Sequence, residues 1–250
     1  MNFDCLLNPI SMRRDLHISF ESSFIRYMPS DAVVYDIGCG QKPFSDFLEG
    51  RVNGHVGVDI ADGFYKPEHV DLIGTAYAVP AGDNIADAVI LSQVIEHLES
   101  PLSAIKEAHR LLKPGGIMFL SFPFLYPQHA APRDFLRFTE FYIENKLIDE
   151  DFEILEQNRI GGYWYLMGMN TSIYLKAFDK GPLRWFGLLK LTIAILSWLF
   201  LLLHRAEGLF LNMVGKSEDN FRAPWTVNYL IVLRKKSLDL DGFFIRTEVF

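Results

Sequence analysis

The fold is decided by residues 33–40, V-V-Y-D-I-G-C-G, a run of apolar and β-branched residues that ends in a glycine-rich turn. Such a run predicts a buried strand, and the turn predicts a change of direction into a helix. Gly38 and Gly40 carry no Cβ atom, so the backbone there can approach a ligand closely. Because ligands of open α/β sheets bind beyond the carboxyl ends of the strands, this turn is a candidate binding site.

Strand and helix patterns alternate along the rest of the chain. Six further strands are predicted, at residues 55–60, 70–73, 87–92, 117–122, 152–157 and 228–233. Helices are predicted at residues 16–28, from 44, at 101–112 and at 139–147. This order is typical of a Rossmann-like α/β fold, in which helices cover both faces of a mostly parallel sheet.

Composition narrows the class of protein. The 250 residues are 50% apolar, which is enough for a sizeable core and excludes disorder. The net charge of −7 argues against a nucleic-acid partner held by a basic surface. Cys5 and Cys39 are too few for a disulfide framework and indicate a reducing compartment. Residues 1–14 lack a secretory pattern, so we expect a cytoplasmic protein, in the cytosol or on the cytosolic face of a membrane.

The first turn also indicates the kind of ligand. A dinucleotide-binding fingerprint requires a third glycine where this chain has Pro43, so a nicotinamide cofactor is disfavoured. Asp36, just ahead of the G-x-G, suits a ligand that carries an ammonium group. Asp59 ends the second predicted strand, where an acidic residue accepts hydrogen bonds from a ribose diol. The alternative for Asp59 is a strand-end carboxylate satisfied by loop amides.

Four blocks of sequence together resemble the class I S-adenosylmethionine-dependent methyltransferases, of the methyltransferase type 11 group. They are V-V-Y-D-I-G-C-G (33–40), G-V-D-I (57–60), A-D-A-V-I-L-S-Q-V-I-E-H-L (86–98) and H-R-L-L-K-P-G-G-I-M-F-L-S-F-P (109–123). The resemblance covers residues 32–158 and 228–233. It implies S-adenosyl-L-methionine as the cofactor, methyl transfer as the reaction, and an antiparallel last strand that closes a seven-stranded sheet.

The resemblance also assigns roles to residues. Asp36 would hold the amino group of the cofactor, Asp59 its ribose, and Ile60 would pack beside the adenine. The family often has Asp where this chain has Thr75, a weaker acceptor for the adenine amine. The residues placed around the cofactor are Asp36, Gly38, Gly40, Asp59, Ile60, Thr75, Ala76 and Gln93.

The acceptor side is predicted in residues 123–139, P-F-L-Y-P-Q-H-A-A-P-R-D-F-L-R-F-T. The pattern H-x-x-P-x-D-F-x-R-F-T resembles a subgroup associated with cell-surface polysaccharide and glycolipid biosynthesis. It implies that His129 borders the acceptor, with Asp134 and Arg137 as further substrate-binding candidates. The alternatives are a loop histidine and a salt bridge that only holds the loop. His129 and His97 are the candidate catalytic bases, and no spacing indicates a metal site.

Residues 161–227 interrupt the alternation of strands and helices and are rich in Leu and aromatic residues. Residues 183–203 would span about 31 Å as a helix, close to a bilayer core of about 30 Å. A single crossing is incompatible with the fold, because residues 228–233 must rejoin the sheet. We expect residues 183–205 to contact a membrane surface peripherally, with Trp185, Lys190, Trp198 and Arg205 as anchors. Burial in the protein's own core or in a homodimer contact is the alternative.

The predicted domain division is residues 1–31 as an N-terminal helical segment, 32–160 as the cofactor-binding core, 161–227 as an apolar helical insertion, 228–236 as the closing strand and 237–250 as a tail. The predicted function is transfer of a methyl group to a small-molecule, glycan or lipid-linked acceptor, at oxygen. A non-catalytic binding or scaffold protein of the same fold is the alternative, followed by an NAD(P)-dependent oxidoreductase.

Overall fold

The computed structural model describes residues 10–60, 67–147, 151–178 and 188–237. Seven strands form one sheet in the order β3-β2-β1-β4-β5-β7-β6. They are β1 Val33–Ile37, β2 Gly54–Asp59, β3 Leu72–Ile73, β4 Ala86–Ser92, β5 Leu112–Pro123, β6 Phe152–Gly161 and β7 Thr226–Lys235.

Seven helices accompany the sheet within the described ranges. They are α1 Met12–Tyr27, α2 Ser45–Leu48, α3 Pro101–Leu111, α4 Glu140–Tyr142, α5 Tyr163–Lys176, α6 Leu188–Met213 and α7 Glu218–Arg222. Single helical turns lie at Pro67–His69, Ile95–His97 and Ala223–Trp225, and α4 continues into a π-helical segment, Ile143–Leu147.

The predicted Rossmann-like fold is confirmed. Strands β1 to β5 pair in parallel, and β7 runs antiparallel to both of its neighbours, β5 and β6. The strand boundaries differ most at β5, which begins at Leu112, five positions before the predicted start at residue 117. Leu112 already pairs with Ala86, and a register shift then brings Ile117 opposite Ala88. The predicted helix from residue 44 is only the four residues of α2.

The core lies on both faces of the sheet, and β7 is part of each layer. One layer gathers Ile37, Val89, Leu120 and Phe122, and the other gathers Val34, Ile90 and Phe119. The first eight residues of β7 are all buried, and those from Tyr229 to Leu233 alternate between the two layers. A strand buried on both faces is expected to be apolar throughout, as V-N-Y-L-I-V-L nearly is.

Helix α1 closes the second layer from outside. Phe20 is fully buried and stacks on Phe44, with ring centroids 3.9 Å apart, and it meets the edge of Phe119 at 5.1 Å. Ser11 caps the helix by accepting a hydrogen bond from the backbone N–H of Arg14. The N-terminal helical segment is therefore attached to the sheet by aromatic packing.

Helices α5 and α6 pack against each other in the region predicted as an apolar insertion. Buried Ser172 and Ser197 lie in this contact with their hydroxyl oxygens 2.8 Å apart. The division of the chain into domains stays a prediction. Three sets of residues named in the sequence analysis lie outside the described residues: Cys5, residues 183–187 with Trp185, and the predicted tail from residue 238 on.

We expect Phe20→Ala to lower the free energy of unfolding by about 3–5 kcal/mol, because it removes a buried ring from an aromatic cluster that cannot fully collapse. Urea unfolding followed by circular dichroism measures this change. The matched control is Ile18→Ala on the same helix, whose side chain is 59% exposed; it should change stability by less than about 0.5 kcal/mol. Equal effects of the two substitutions would contradict the packing described for α1.

Candidate functional site

A cavity of about 300 Å³ opens at the carboxyl ends of β1, β2 and β4. Five of the eight predicted cofactor residues line it: Gly38, Asp59, Ile60, Ala76 and Gln93. Its far wall is residues 130–133 of the segment that follows β5. The site therefore lies between the strand ends, which are fixed by the sheet, and a loop from another part of the chain.

The turn after β1 forms the floor of the cavity with its backbone. Gly38 has φ +71°, and a Cβ atom there would come within 2.6 Å of Val94 Cγ2. Both its conformation and its surroundings therefore require glycine. The backbone N–H of Gly38 donates to the carbonyl of Val58 at 2.8 Å, which holds the turn against β2.

Asp59 stands at the end of β2 and lines the cavity. Its Oδ2 accepts from the backbone N–H of Gly40 at 2.8 Å, and its Oδ1 accepts from that of Ile60 at 2.7 Å. The carboxylate is thus held in place by loop amides, as the alternative interpretation expected. Each carboxylate oxygen retains further acceptor capacity, so this arrangement still allows a diol to bind.

Asp36 is buried beside a histidine that the sequence analysis did not identify. Its Oδ2 lies 3.2 Å from Nε2 of His55, across the β1–β2 pair. Burial raises the pKa of Asp36, and the hydrogen bond and charge of His55 oppose that shift. Asp36, Gly40 and Thr75 are absent from the walls of the cavity, and their roles in binding stay predictions.

Gln93 is fixed by contacts that cross the sheet. Its Oε1 accepts from Nδ2 of Asn228 on β7 at 2.9 Å, and its Nε2 donates to Oγ of Ser121 on β5 at 3.2 Å. The residue has φ +59°, a conformation that non-glycine residues seldom adopt. Strained backbone of this kind is frequent at binding sites, where surrounding contacts maintain it.

The predicted acceptor segment is held by an ion pair. Arg137 donates from Nη1 to Oδ1 of Asp134 at 2.6 Å and from Nη2 to Oδ2 at 2.8 Å. The Arg137 guanidinium keeps the pKa of Asp134 far below its usual range. Asp134 Oδ2 also accepts from the backbone N–H of His129 at 2.8 Å, and Arg137 donates to the carbonyl of Leu136. The pair holds the loop, and contact of either residue with a substrate stays a prediction.

Both predicted catalytic histidines lie beside Glu96, a residue that the sequence analysis did not select. Nε2 of His97 is 3.7 Å and Nε2 of His129 is 3.9 Å from Oε1 of Glu96. The Glu96 carboxyl is fully buried, and neither of its oxygens has a hydrogen-bond partner among the described residues. Burial raises the pKa of Glu96 to about 8 and lowers the pKa of His129.

The proximity of Glu96 to His129 could not be read from spacing, because 32 residues and a whole strand separate them. One signal was available in the sequence: Glu96 stands in the apolar run V-I-E-H-L, where a charged residue indicates a buried carboxyl. His97 also lines the cavity, so this cluster adjoins the predicted cofactor site.

The geometry disfavours a dinucleotide. A pyrophosphate in this fold binds at the N-terminus of the helix that follows β1, where the aligned backbone N–H groups supply partial positive charge. Here that helix is α2, a single turn, and Pro43 stands where the fingerprint has its third glycine.

Residues 35–120 match the protein family described as Methyltransferase domain. The match supports S-adenosyl-L-methionine as the cofactor, as the sequence blocks predicted. The matched segment runs from within β1 to within β5, and it contains the turn at Gly38 together with Asp59, Gln93 and His97.

Curated relatives match less than half of this chain. An uncharacterized methyltransferase of Mycobacterium tuberculosis is 32% identical over 126 residues, which is 42% of this chain and 51% of that protein. A ubiquinone biosynthesis O-methyltransferase of Pseudomonas aeruginosa is 30% identical over 99 residues, covering 35% of this chain and 43% of that protein. The chain thus spans about half the length of the curated relatives it matches, or less.

Solved structures resemble the fold over most of the chain. The [4+2]-cyclase SpnF has a TM-score of 0.54 and 17% identity, covering 87% of this chain and 81% of that one. A protein from Bacillus halodurans C-125 has a TM-score of 0.51 and 14% identity, covering 88% of this chain and all of that one. At these identities the likeness concerns the fold alone.

The walls of the cavity fit S-adenosylmethionine. At Gly38 a Cβ atom would collide with a wall residue, so the glycine backbone allows the close approach that the methionine end needs. Asp59 supplies carboxylate oxygens for the ribose hydroxyls, and exposed Ile60 supplies an apolar surface for the adenine. The family match and the residues that line this cavity therefore both support the predicted cofactor.

We expect Asp59→Ala to weaken binding of S-adenosylmethionine about 10-fold to 100-fold, because hydrogen bonds to a charged group contribute about 1.5–3 kcal/mol. Isothermal titration calorimetry measures the dissociation constant, with NADH as a ligand that should not bind. Asp46→Ala, which removes an exposed carboxylate from the first turn of α2, is the matched control and should bind normally. Unchanged affinity in folded Asp59→Ala would exclude the role assigned to Asp59.

Proposed function

We propose that the protein transfers a methyl group from S-adenosylmethionine to a hydroxyl oxygen of a small-molecule, glycan or lipid-linked acceptor. One observation carries the proposal: His97 belongs both to the wall of the cofactor cavity and to the Glu96–His97–His129 cluster. A donor site thereby adjoins groups that can accept a proton. S-adenosylmethionine, when bound, supplies an electrophilic methyl group on a sulfonium.

The chain's first task is alignment. Gly38 and Asp59 are held by backbone hydrogen bonds at the strand ends, and residues 130–133 face them across the cavity. A loop in that position can separate the reacting groups from bulk water. Correct alignment alone supplies about 7–11 kcal/mol when the geometry is near attack.

The second task is removal of the acceptor's proton. A hydroxyl is a weak nucleophile, and a positioned base typically adds about 10²-fold to 10⁴-fold to the rate. The Nδ1 side of His129 faces Asp134 and Arg137, while its Nε2 is directed toward Glu96. We assign His129, with His97 beside it, to the acceptor's hydroxyl.

The exposed surface of α6 supports a lipid-linked acceptor. Lys190, Ser197 and His204 recur every seven residues of α6. Lys190 is exposed, Ser197 is fully buried against α5, and large apolar side chains point outward. The exposed apolar ones include Leu191, Ile195, Leu199, Leu202, Leu209, Phe210 and Met213. A buried hydroxyl contact beneath an apolar outer surface is matched to lipid rather than to water.

Helix α6 is long and apolar enough to cross a membrane, by length and composition. Its 26 residues would extend about 39 Å, whereas the 14 residues of α5 would extend only about 21 Å. Since β6 before the two helices and β7 after them pair in the same sheet, both ends of this region are held on one side. We therefore propose peripheral contact with the cytosolic face of a membrane, where lipid-linked glycans are accessible.

We expect His129→Ala to lower the turnover number for methyl transfer about 10²-fold to 10⁴-fold without changing the affinity for S-adenosylmethionine, because it removes a group on the acceptor side only. Transfer of radiolabelled methyl to a panel of sugars, glycolipids and phenolic acceptors measures this. Gln128→Ala, at the exposed neighbouring position, is the control. Cofactor binding without transfer to any acceptor would favour the scaffold alternative, and NADH binding would favour an oxidoreductase.

We expect the full chain to sediment with liposomes of zwitterionic and anionic phospholipid, and the double variant Leu202→Gln/Leu209→Gln to remain in the supernatant. These two side chains are 63% and 73% exposed, so the change removes apolar surface without opening the core. Ile18→Gln/Ile25→Gln, on the exposed side of α1, is the matched control. A soluble dimer that dissociates in the α6 variant and ignores liposomes would support the homodimer alternative instead.

A further inference from the structure

Three potential metal ligands converge beside the cavity. The ligand atoms of Glu96, His97 and His129 all lie within 4.8 Å of one another, and the two His–Glu distances are 3.7 Å and 3.9 Å. Ligands that share one transition-metal ion at about 2.0–2.2 Å lie roughly 3.0–3.6 Å apart. Side-chain movements of a few tenths of an ångström would bring the nitrogen atoms to those distances from the carboxylate, and ligand atoms as much as 4.8 Å apart would have to approach by about 1 Å.

Both histidines are oriented by their second ring nitrogen. Nδ1 of His97 lies 2.7 Å from the backbone carbonyl of Arg133, and it can only donate to that oxygen. Nδ1 of His129 lies 3.4 Å from the Asp134 carboxylate, itself fixed by Arg137. The proton of His97 therefore belongs on Nδ1, which leaves the lone pair of its Nε2 directed toward Glu96. Nδ1 of His129 also lies 3.4 Å from Nη2 of Arg137, so these contacts fix the orientation of the ring, with Nε2 toward Glu96. Histidines that bind metals are held in this way, by a carbonyl or carboxylate on the opposite nitrogen.

Glu96 supplies the second, independent observation. Its carboxyl is fully buried, yet neither oxygen has a hydrogen-bond partner among the described residues. Burial of an unpaired carboxylate is costly, and proteins offset that cost by ion pairing or by metal coordination. The Nε2 atoms of the two histidines face Oε1 at 3.7 Å and 3.9 Å.

We propose that Glu96, His97 and His129 bind one divalent first-row transition-metal ion at the rim of the cavity. Two imidazole nitrogens and one carboxylate suit Zn²⁺, Fe²⁺, Co²⁺ or Mn²⁺, whereas Mg²⁺ and Ca²⁺ prefer oxygen ligands throughout. Three protein ligands leave coordination positions for a substrate. His97 connects the site to the cavity, so these positions would take oxygen atoms of the acceptor.

The ion would define the class of acceptor. A hydroxyl that binds a divalent cation loses its proton more readily. With the ion bound, the Nε2 lone pairs of His97 and His129 are occupied, so the ion replaces them in activating the hydroxyl and the proton leaves to solvent water. Acceptors with a hydroxyl beside a second oxygen donor, such as vicinal diols or hydroxy acids, would bind through both oxygens. This assignment of the acceptor rests on the proposed methyl transfer, whereas binding of the ion does not.

Metal binding is testable without any acceptor. Untagged full-length protein is equilibrated with Co²⁺ or Zn²⁺, freed of excess metal and measured by mass spectrometry of the elements. We expect about one ion per chain and, for Co²⁺, visible absorption bands. Glu96→Gln keeps the shape of the side chain and removes its charge, and it should lower affinity at least about 10-fold, as should His129→Ala.

The matched control is His69→Ala, at an exposed histidine far along the chain from the cluster, which should retain the ion. Thermal unfolding of each variant without metal establishes that it folds. No retained ion in the wild-type protein, or equal retention in folded Glu96→Gln, would overturn the proposal. Since S-adenosylmethionine binding is measured separately, a protein that binds the cofactor but no ion would exclude the metal site and leave methyl transfer standing.

Discussion

The antiparallel pairing of β7 with both β5 and β6 is the constraint on which the rest of the structure depends. Beyond the end of β5, the N–H groups of Phe124 and Leu125 donate to the carbonyls of Val227 and Thr226, so β7 fixes where the acceptor segment begins. Asn228 on the same strand holds Gln93 at the cofactor cavity. The N–H of Gly162 donates to the carbonyl of Trp225, which closes the base of the α5–α6 region. One buried strand therefore positions the donor side, the acceptor side and the apolar surface.

The acceptor segment is attached at its other end to Glu96. The backbone N–H groups of Phe135 and Leu136 both donate to the main-chain carbonyl of Glu96, at 3.0 Å and 3.1 Å. The Asp134–Arg137 pair then fixes the loop between these anchors, and His129 is held by the same carboxylate. The resulting position of His129 over a buried carboxyl is a property of the whole loop. The Asp134–Arg137 ion pair can therefore affect the chemistry of the site through the position of His129, even without contacting a substrate.

The sequence was sufficient for the elements whose signal is local. Seven strands and the helices α1 and α3 follow from apolar runs, proline and glycine. The Gly38 turn follows from its G-x-G sequence, since its φ of +71° is a conformation that favours glycine. What could not be predicted depends on contacts between distant segments. The His55–Asp36 contact needs the register of β1 and β2, and the approach of Glu96 to His129 needs the folded loop. No end was predicted for the helix that begins near residue 44; α2 ends at Leu48, two residues before Gly50 in a left-handed conformation.

Helix α6 shows why periodicity alone does not give orientation. Polar side chains on an apolar helix normally face water. Here Ser197 faces inward and contacts Ser172. Gly168 of α5, which has no side chain, lets the backbone of α5 approach Phe200 of α6. Small residues and a hydroxyl pair between helices, with leucine outside, form the packing that is stable when the surroundings are themselves apolar. In water the same surface would leave a large contiguous apolar patch exposed. The inward direction of Ser197 is therefore evidence about the environment of this surface as much as about its packing, and it supports the proposal of an acceptor carried by a lipid.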